Sequence, residues 1–262
     1  MQRIGSLKSD TRRRVFDSGE FRGYTDYLID PVVGAGQTPQ AFLAHQQAGW
    51  TLRTHYHHQE QFQVAVRGGG MLGRHPLEAL SVHYASREAG YGPLVAGPGG
   101  LDYLTLRSCA DMGAQYLPES QSKMRRGLKK RQETIGPIPL THTESLSRQR
   151  QSQLEILIAP DASGLAAWIG RLGPLQTLIA PSHPRSGGRF YVVVAGLLLY
   201  QEPLGPPSCV YAAHDDPPLT LQSGASGLEI LVLQYPDSAL KERTTNVALK
   251  NVSQQNQPNH FR

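Results

Sequence analysis

Residues 49–68 read G-W-T-L-R-T-H-Y-H-H-Q-E-Q-F-Q-V-A-V-R-G, and the fold predicted from the sequence rests mainly on this segment. Successive side chains of an extended strand point to opposite faces, so His55, His57 and Gln61 share one face. The side chains of opposite parity are apolar: Phe62, Val64 and Val66. The segment therefore predicts a strand with a core-facing side and a polar side that brings three ligand-type groups together.

A second copy of this segment follows later in the chain, at S-H-P-R-S-G-G-R-F-Y-V-V-V-A-G. It places His183 on His55 and Gly196 on Gly68. After a one-residue deletion, residues 81–85 align with 208–212 and residues 100–106 align with 227–233. Ordered matches over about 50 residues indicate two copies of one β-domain-sized module and not a short-period solenoid.

The arrangement resembles the first motif of the cupin superfamily, in which a Gly is followed by five residues, His-x-His, three residues, a Glu and a later Gly. Gly49, His55, His57 and Gly68 match, whereas Gln61 stands where the family usually has a metal-ligating Glu. The resemblance covers residues 38–107 and 165–235. It implies an all-β chain of two tandem cupin-type jelly-roll barrels with a basic connector, that is, a bicupin with a degenerate second module.

Composition and pattern divide the chain into five segments. They are an N-terminal arm (1–37), an N-terminal cupin-like module (38–107), a basic connector (108–152), a degenerate C-terminal cupin-like module (153–237) and a polar tail (238–262). The 27 glycines, 19 prolines and short apolar runs are typical of an all-β chain with many turns. We expect one or two edge strands in the arm and little order in the tail beyond one helical turn.

The connector shows little apolar periodicity. Its middle, residues 121–134, favours an exposed helix, whereas Pro137 and Pro139 exclude a helix over 135–140 because they remove backbone donors. A segment of this length without secondary structure is long for a loop. We expect it to wrap a module or to be partly disordered.

The resemblance implies that His55, His57 and Gln61 hold a divalent first-row metal, which can be Fe, Ni, Mn or Zn. The His that the family usually draws from a second motif is missing. Depending on the placement of that motif, its position holds Tyr103 or Tyr91, and His83 is a further candidate. Tyr91, Tyr103 and His83 are thus candidates for a fourth ligand or a catalytic group.

Two neighbours on the first segment, His58 and Glu60, have the wrong parity to join the site unless the strand bulges. The second module carries His183, Arg185 and Arg189 at the matching places. Guanidinium groups cannot be deprotonated in proteins. We therefore expect metal only in the first module.

Two functions from different classes follow. The first is a metal-dependent small-molecule enzyme with dioxygenase, isomerase or lyase chemistry in the N-terminal barrel, as the resemblance implies. The second is a non-catalytic cupin that binds a small ligand or has a structural or regulatory role. The missing carboxylate and the missing second-motif His favour the second; the retained His-x-His and the polar inner strand favour the first.

The remaining features limit the partners. The net charge of +5 is concentrated in residues 121–151, but no aromatic residues are interleaved with this charge, which disfavours nucleic-acid binding. The longest apolar run, residues 191–200, is too short to span a membrane, and the N-terminus lacks the apolar centre of a secretory signal. We expect a cytoplasmic protein with free, non-catalytic thiols at Cys109 and Cys209 and a small-molecule ligand or substrate. Homodimerisation through sheet edges is compatible with this architecture.

Overall fold

Strands form nearly all of the regular structure. A computed structural model describes residues 1–32 and 38–237. Its strands are β1 (Gln2–Ser6), β2 (Arg13–Asp17), β3 (Arg22–Ile29), β4 (Gln40–Gln46), β5 (Thr51–Leu52), β6 (His55–Tyr56), β7 (Gln61–Leu72), β8 (His75–Leu77), β9 (Val82–Ala85), β10 (Leu94–Arg107), β11 (Gln115–Tyr116), β12 (Gln132–Ile135), β13 (Gln153–Ile158), β14 (Ala166–Leu172), β15 (Thr177–Ile179), β16 (Arg189–Leu199), β17 (Pro203–Leu204), β18 (Ser208–Ala212) and β19 (Thr220–Gln234). One short helix, α1 (Thr143–Arg148), and a 3₁₀ turn at Gln121–Lys123 complete the regular structure of these residues. No helix among them is long and apolar enough to cross a bilayer.

The strands form two large antiparallel sheets, one for each repeat. The first has the order β12-β9-β7-β10-β4-β3-β2, with β5 on β10 and β8 on β7. The second has the order β1-β18-β16-β19-β14-β13, with β17 on β16 and β15 on β19. A separate two-stranded ribbon joins β6 to β11. The expectation of an all-β, two-module architecture is confirmed.

The internal repeat is visible in the register of the strands. Thr105 of β10 pairs with Gln63 of β7, and the aligned Val232 of β19 pairs with Tyr191 of β16. Equivalent strands therefore pair at equivalent positions in both modules. This register fixes which residues of the second module correspond to those of the site.

The apolar parity of the repeated strands packs one module against the other. Phe62, at 0% exposure, lies 5.1 Å from the ring of Tyr235 between ring centroids. The Tyr235 hydroxyl donates to the carbonyl oxygen of Leu106 at 2.5 Å. Both sheets contribute to one buried cluster that also contains Val64, Val192 and Leu231. The core is thus shared between the modules, and the opposite parity faces the interior of each module.

The N-terminal arm contributes three strands, where the sequence predicts one or two. β2 and β3 extend the first sheet, so β3 lies inside it and only β2 is at the edge. β1 instead pairs with β18 of the second sheet, with Ile4 opposite Val210. The arm therefore covers an edge of each sheet, which leaves fewer unpaired backbone groups exposed. The expected end of the arm at 33–37 and the tail at 238–262 lie outside the described residues.

The helix expected over residues 121–134 does not form, apart from the 3₁₀ turn. Residues 132–135 add β12 to the free edge of β9, and the backbone N–H of Arg131 donates to Ser86 Oγ at 2.8 Å. Pairing with the edge of β9 gives this segment inter-strand backbone hydrogen bonds, and this tertiary contact outweighs the local preference for a helix. Helix α1 lies further on, and its Leu146 is fully buried. The connector covers both modules, and Arg131 also forms an ion pair with Asp161 of the second one.

Candidate active site in the N-terminal module

A cavity of about 380 Å³ lies inside the N-terminal module, on the polar side of the sheet. Six of the polar side chains that line it converge from different elements: His55, His57, Tyr91, Tyr103, Arg107 and Asp111. His55 belongs to β6, Gln61 opens β7, and His57 lies in the connection between them. The strand predicted over 55–61 is thus interrupted after residue 56. The three side chains nevertheless meet, because all three contact Tyr91 or Arg107.

The centre of the cluster is Arg107, the last residue of β10. It is buried, at 4% exposure. Its Nε and Nη2 donate to Gln61 Oε1 at 3.0 and 2.7 Å, and its Nη1 donates to Gln40 Oε1 at 2.9 Å. Its Nη2 also lies 3.3 Å from each ring nitrogen of His57, so it sits off the lone-pair direction of both. A permanent cation therefore occupies the centre of the predicted ligand set.

Tyr91 continues this network towards His55. The Gln61 Nε2 donates to the Tyr91 hydroxyl, which lies 3.0 Å from His55 Nε2. The other ring nitrogen of His55, Nδ1, donates to the carbonyl oxygen of Arg53 at 2.7 Å. His55 Nε2 must then accept the hydrogen of the tyrosine hydroxyl. Burial, and next the neighbouring His57, lower the pKa of His55 to about 3.

His57 is held by Asp111, whose side chain is fully buried. The Nδ1 of His57 lies 2.6 Å from Asp111 Oδ2. The carboxylate also accepts the backbone N–H groups of His58, Gln59 and Gly113. Burial opposes ionisation of Asp111, but these hydrogen bonds and the Arg107 charge outweigh it and lower its pKa to about 2. Burial and Arg107 lower the pKa of His57 to about 4.

His83 and Tyr103 lie in different positions relative to the cavity. Tyr103 forms part of its wall, whereas His83 lines a small adjoining space on the other side of Tyr103. The His83 and Tyr91 rings are 5.1 Å apart, and His83 Nδ1 lies 2.9 Å from Thr134 Oγ1. Burial raises the pKa of both Tyr91 and Tyr103 and lowers that of His83 to about 4. Contact with the predicted ligands is thus made by Tyr91 and not by His83.

Glu60 is directed away from the cavity. The hydroxyl of Tyr84 donates to Glu60 Oε2 at 2.8 Å, and Tyr84 belongs to the core between the modules. This position follows from the parity of residue 60 relative to Gln61. The break after residue 56 does not bring this carboxylate into the site.

Sequence reasoning missed two residues of the cluster. Arg107 is one residue beyond the aligned segment 100–106, and its partner in the second module is Gln234, which lies opposite Arg189. Gln61 opposite Arg107 and Arg189 opposite Gln234 are therefore the same pair with its members exchanged. That exchange is a signal in the sequence. Asp111 belongs to the basic connector, and no local pattern marks it as a site residue.

The donor atoms of the predicted ligands do not fit a metal ion. Gln61 Oε1 accepts two bonds from Arg107, and His55 Nε2 accepts the Tyr91 hydroxyl. Only His57 Nε2 retains a lone pair, and it lies beside the Arg107 cation. Within residues 1–32 and 38–237, no group of three His, Cys, Asp or Glu side chains is placed to hold a metal. A divalent cation here would meet one free nitrogen and a fixed positive charge.

The interior of the second module is filled with apolar side chains. At the positions of Gln63, His83, Tyr103 and Thr105 it has Tyr191, Val210, Ile230 and Val232, all fully buried. Arg185 is exposed and donates to the carbonyl oxygen of Ala162. Arg189 donates to the carbonyl oxygen of Asp216. The residues that form the cavity in the first module are thus replaced by a packed core.

Comparison with known proteins gives the fold. No protein-family model and no curated protein matches the chain. Among solved structures, the bacterial pirin YhhW from Escherichia coli in complex with nickel(II) matches with a TM-score of 0.56 and 13% identity, covering 90% of this chain and 99% of that one. A formate complex of the Lactobacillus farciminis oxalate decarboxylase matches with a TM-score of 0.56 and 14% identity over 89% and 88% of the two chains. The Bacillus subtilis oxalate decarboxylase, studied for its Mn(II) centers, gives 0.55 and 12% over 90% and 77%. The chain therefore has the two-module fold of the cupin superfamily.

Proposed function

We propose that the cavity of the N-terminal module binds a small organic molecule and catalyses proton transfer on it, as an isomerase or lyase does. The observation that carries this proposal is the hydrogen bond from His57 to the buried Asp111 at the cavity wall. Asp111 is an acceptor for all its other partners, so the shared hydrogen belongs to His57 Nδ1. His57 Nε2 is then the nitrogen that a bound molecule meets.

The residues around His57 complete the chemistry. In the proposed step, a C–H next to a carbonyl group gives its proton to His57 Nε2, and the electron pair moves to the carbonyl oxygen. A positive charge close to that oxygen stabilises the transition state. Arg107 supplies such a charge beside His57, and Asp111 stabilises the imidazolium that forms. Return of the proton to another carbon, or loss of a leaving group, completes an isomerisation or an elimination.

The metal dependence predicted from the sequence is not part of this proposal, since the donor atoms are already engaged. The nickel(II) and Mn(II) of the structural neighbours are properties of those proteins. The formate in a third neighbour is also a property of that protein, and it supports a small carboxylate as a fitting ligand for a cavity of this fold.

A second candidate is binding without catalysis. A chain of hydrogen bonds links Arg107, Gln61, Tyr91 and His55 and holds these side chains in fixed positions. A rigid binding surface requires such fixed side chains. This observation does not involve His57. The two candidates therefore differ in whether His57 acts on the bound molecule.

Solvent deuterium exchange separates the two candidates. The purified protein is incubated in D₂O with a panel of small keto and hydroxy acids, and C–H signals are followed by proton NMR. Proton transfer predicts loss of one C–H signal in a bound compound. His57→Gln should abolish the exchange, and Asp111→Asn should slow it by about 10²-fold, the scale of general-base catalysis.

The control is His183→Gln, the matching position of the second module, which lies outside the cavity and should leave the exchange rate unchanged. Line broadening of a compound without exchange of its hydrogens would favour the binding-only candidate. Exchange that persists in His57→Gln would contradict the role of His57.

A further inference from the structure

We propose that Arg107 takes the place of the metal ion in this module and anchors the carboxylate group of the ligand. This inference rests on the proposed small-molecule site and specifies the class of molecule it takes. It extends that proposal in one respect. Proton transfer to His57 requires a carbonyl compound, and binding to Arg107 requires in addition that this compound carries a carboxylate.

Within the described part of the chain, Arg107 has no counter-charge in direct contact. Buried charged groups in proteins are normally paired with an opposite charge. Among the described residues, the recorded partners of Arg107 are two amide oxygens and the His57 ring, and no carboxylate forms an ion pair with it. Asp111, the acid that also lines this part of the cavity, is bound by His57 and three backbone N–H groups. The Asp111 charge reaches Arg107 only across the His57 ring, so an anionic ligand would supply the direct contact that the protein does not make.

Arg107 has more N–H donors than its amide partners use. A guanidinium group has five N–H bonds. Three of them reach amide oxygens, one each from Nε, Nη1 and Nη2. One N–H remains on Nη1, and the second N–H of Nη2 points between the two ring nitrogens of His57, 3.3 Å from each. A carboxylate that reaches this end of the guanidinium would meet both N–H groups, which form the fork that binds two carboxylate oxygens. Gln40 and Gln61 fix the plane of this fork, and the side chain lines the cavity.

The cavity beside Arg107 has the size and the walls that suit a small, partly apolar molecule. A volume of about 380 Å³ suits a molecule of modest size. Several walls are aromatic or aliphatic, among them Phe42, Leu52, Tyr103 and Tyr116. The Arg107 guanidinium lies 5.5 Å from the Phe42 ring centroid, so charge and apolar wall adjoin. These features fit a carboxylate on a short apolar or aromatic body.

The residue type at position 61 also determines the charge of this site. A Glu there would place a carboxylate against Arg107 and neutralise it within the protein. The amide of Gln61 keeps the position of such a side chain and accepts the same bonds from Arg107, but it brings no negative charge. Its Nε2 donates to Tyr91, whereas a carboxylate there could only accept. The departure from the usual cupin residue thus has the effect of converting a cation-binding position into an anion-binding one.

The test compares benzoate with benzamide, which have the same ring and differ in charge. Ligand-observed NMR detects weak binding, so it suits probes that fill only part of the cavity. We expect benzoate to bind at least 10-fold more tightly than benzamide, since a charged fork distinguishes them. Arg107→Lys, which keeps the charge but not the fork, should weaken benzoate binding about 10-fold, and Arg107→Met should abolish it. Arg185→Met, on the exposed surface of the second module, is the matched control and should bind as the parent does.

Gln61→Glu serves where Arg107→Met does not fold. It supplies an internal ion-pair partner, so the thermal transition should be retained or raised while benzoate binding falls at least 10-fold. Benzamide bound as tightly as benzoate, or full benzoate binding in Gln61→Glu, would overturn the role of Arg107. Deuterium exchange is measured separately, on the unaltered protein and on His57→Gln, so the failure of this inference is distinguishable from a failure of the proposed function.

Metal analysis completes the test. Protein grown with iron, nickel, manganese and zinc should contain well below one equivalent of each. The double variant Gln61→Glu with Arg107→Met should gain a metal, because two imidazoles and a carboxylate then face an uncharged cavity wall. One equivalent of metal in the unaltered protein that is lost in His57→Ala, and not in His183→Ala, would overturn the replacement of the metal by Arg107.

Discussion

Gln61 joins the two halves of the candidate site, because its oxygen faces Arg107 and its nitrogen faces Tyr91. The orientation of this amide fixes the direction of the hydrogen bonds from Arg107 through Tyr91 to His55. Arg107 can only donate, so Gln61 Oε1 accepts and its N–H₂ group is left for the Tyr91 hydroxyl. Tyr91 then donates to His55 Nε2. A single residue therefore sets the protonation pattern around the cavity.

The Tyr91 hydroxyl is the part of this network that a small substitution can remove. Tyr91→Phe leaves the ring packing in place but deprives Gln61 and His55 of a buried partner. Leaving buried polar groups without partners costs about 1–3 kcal/mol of unfolding free energy. Urea unfolding should show this loss. The matched control is Tyr103→Phe: no hydrogen bond of the Tyr103 hydroxyl is recorded within the described chain, so its loss should stay below about 0.5 kcal/mol. Equal effects of the two substitutions would contradict the network.

At the scale of elements, the connector is held by a carboxylate from the first module. Glu88, at 2% exposure, accepts the backbone N–H of Arg125 at 2.6 Å and its Nε at 2.8 Å. Burial opposes ionisation, but the bonds from Arg125 prevail and lower the pKa of Glu88. Because the folded pKa lies below the unfolded value, the ionised form stabilises this docking at neutral pH. The contribution is lost as pH falls through the folded pKa.

Hydrogen exchange of the connector tests this docking. After correction for the intrinsic pH dependence of exchange, peptides covering residues 121–131 should become less protected as the pH is lowered from neutrality through the folded pKa of Glu88, which lies below the usual carboxylate value. In Glu88→Gln they should already be less protected at neutral pH and should change little on acidification. Arg67→Gln, which alters an exposed ion pair with Asp102, is the control. Protection that is equal in Glu88→Gln and the parent protein would contradict the anchoring role.

Much of the fold follows from the sequence, because side-chain parity and the internal repeat are local and additive signals. They predict the all-β class, the two modules and the meeting of His55, His57 and Gln61, although His57 lies outside a regular strand. The helix expected near residue 130 fails because the free edge of β9, formed by residues distant in sequence, pairs with the connector. Asp111 escapes prediction for the same reason: it reaches His57 across 54 positions of the chain.

Arg107 was not predicted as a site residue for a different reason. It continues the alternation of β10, so its parity was readable, but an arginine in a strand is ordinarily expected to face water. Only the structure shows that two glutamines and a histidine surround it. Whether the His-x-His pattern binds a metal depends on whether other side chains already form hydrogen bonds with the ligand atoms. Such information is non-local and is absent from a motif.

At the scale of the whole molecule, the two modules share one core. The Tyr235 ring of the second repeat packs against Phe62 of the first repeat and Phe190 of the second. β1 crosses to the second sheet, and Arg131 pairs with Asp161 of the second module. The filled interior of that module thus stabilises the face on which the first module rests. The second repeat lacks the side chains that form the cavity of the first, and its apolar residues contribute to the common core.

A shared core predicts that the modules unfold together. Phe62→Ala in the first module should cost about 3–5 kcal/mol, and Leu231→Ala in the second about 2–5 kcal/mol, because both side chains are fully buried in the common cluster. The faces of the two sheets that form this cluster pack against each other, so neither can be exposed alone. Each substitution should therefore lower the temperature of one calorimetric transition. The van't Hoff and calorimetric enthalpies should then agree. Val15→Ala, at 72% exposure on β2, should leave the transition within about 0.5 kcal/mol of the parent. Two resolved transitions, of which Phe62→Ala shifts only one, would show that the modules are energetically independent and that the contact between them contributes little to stability.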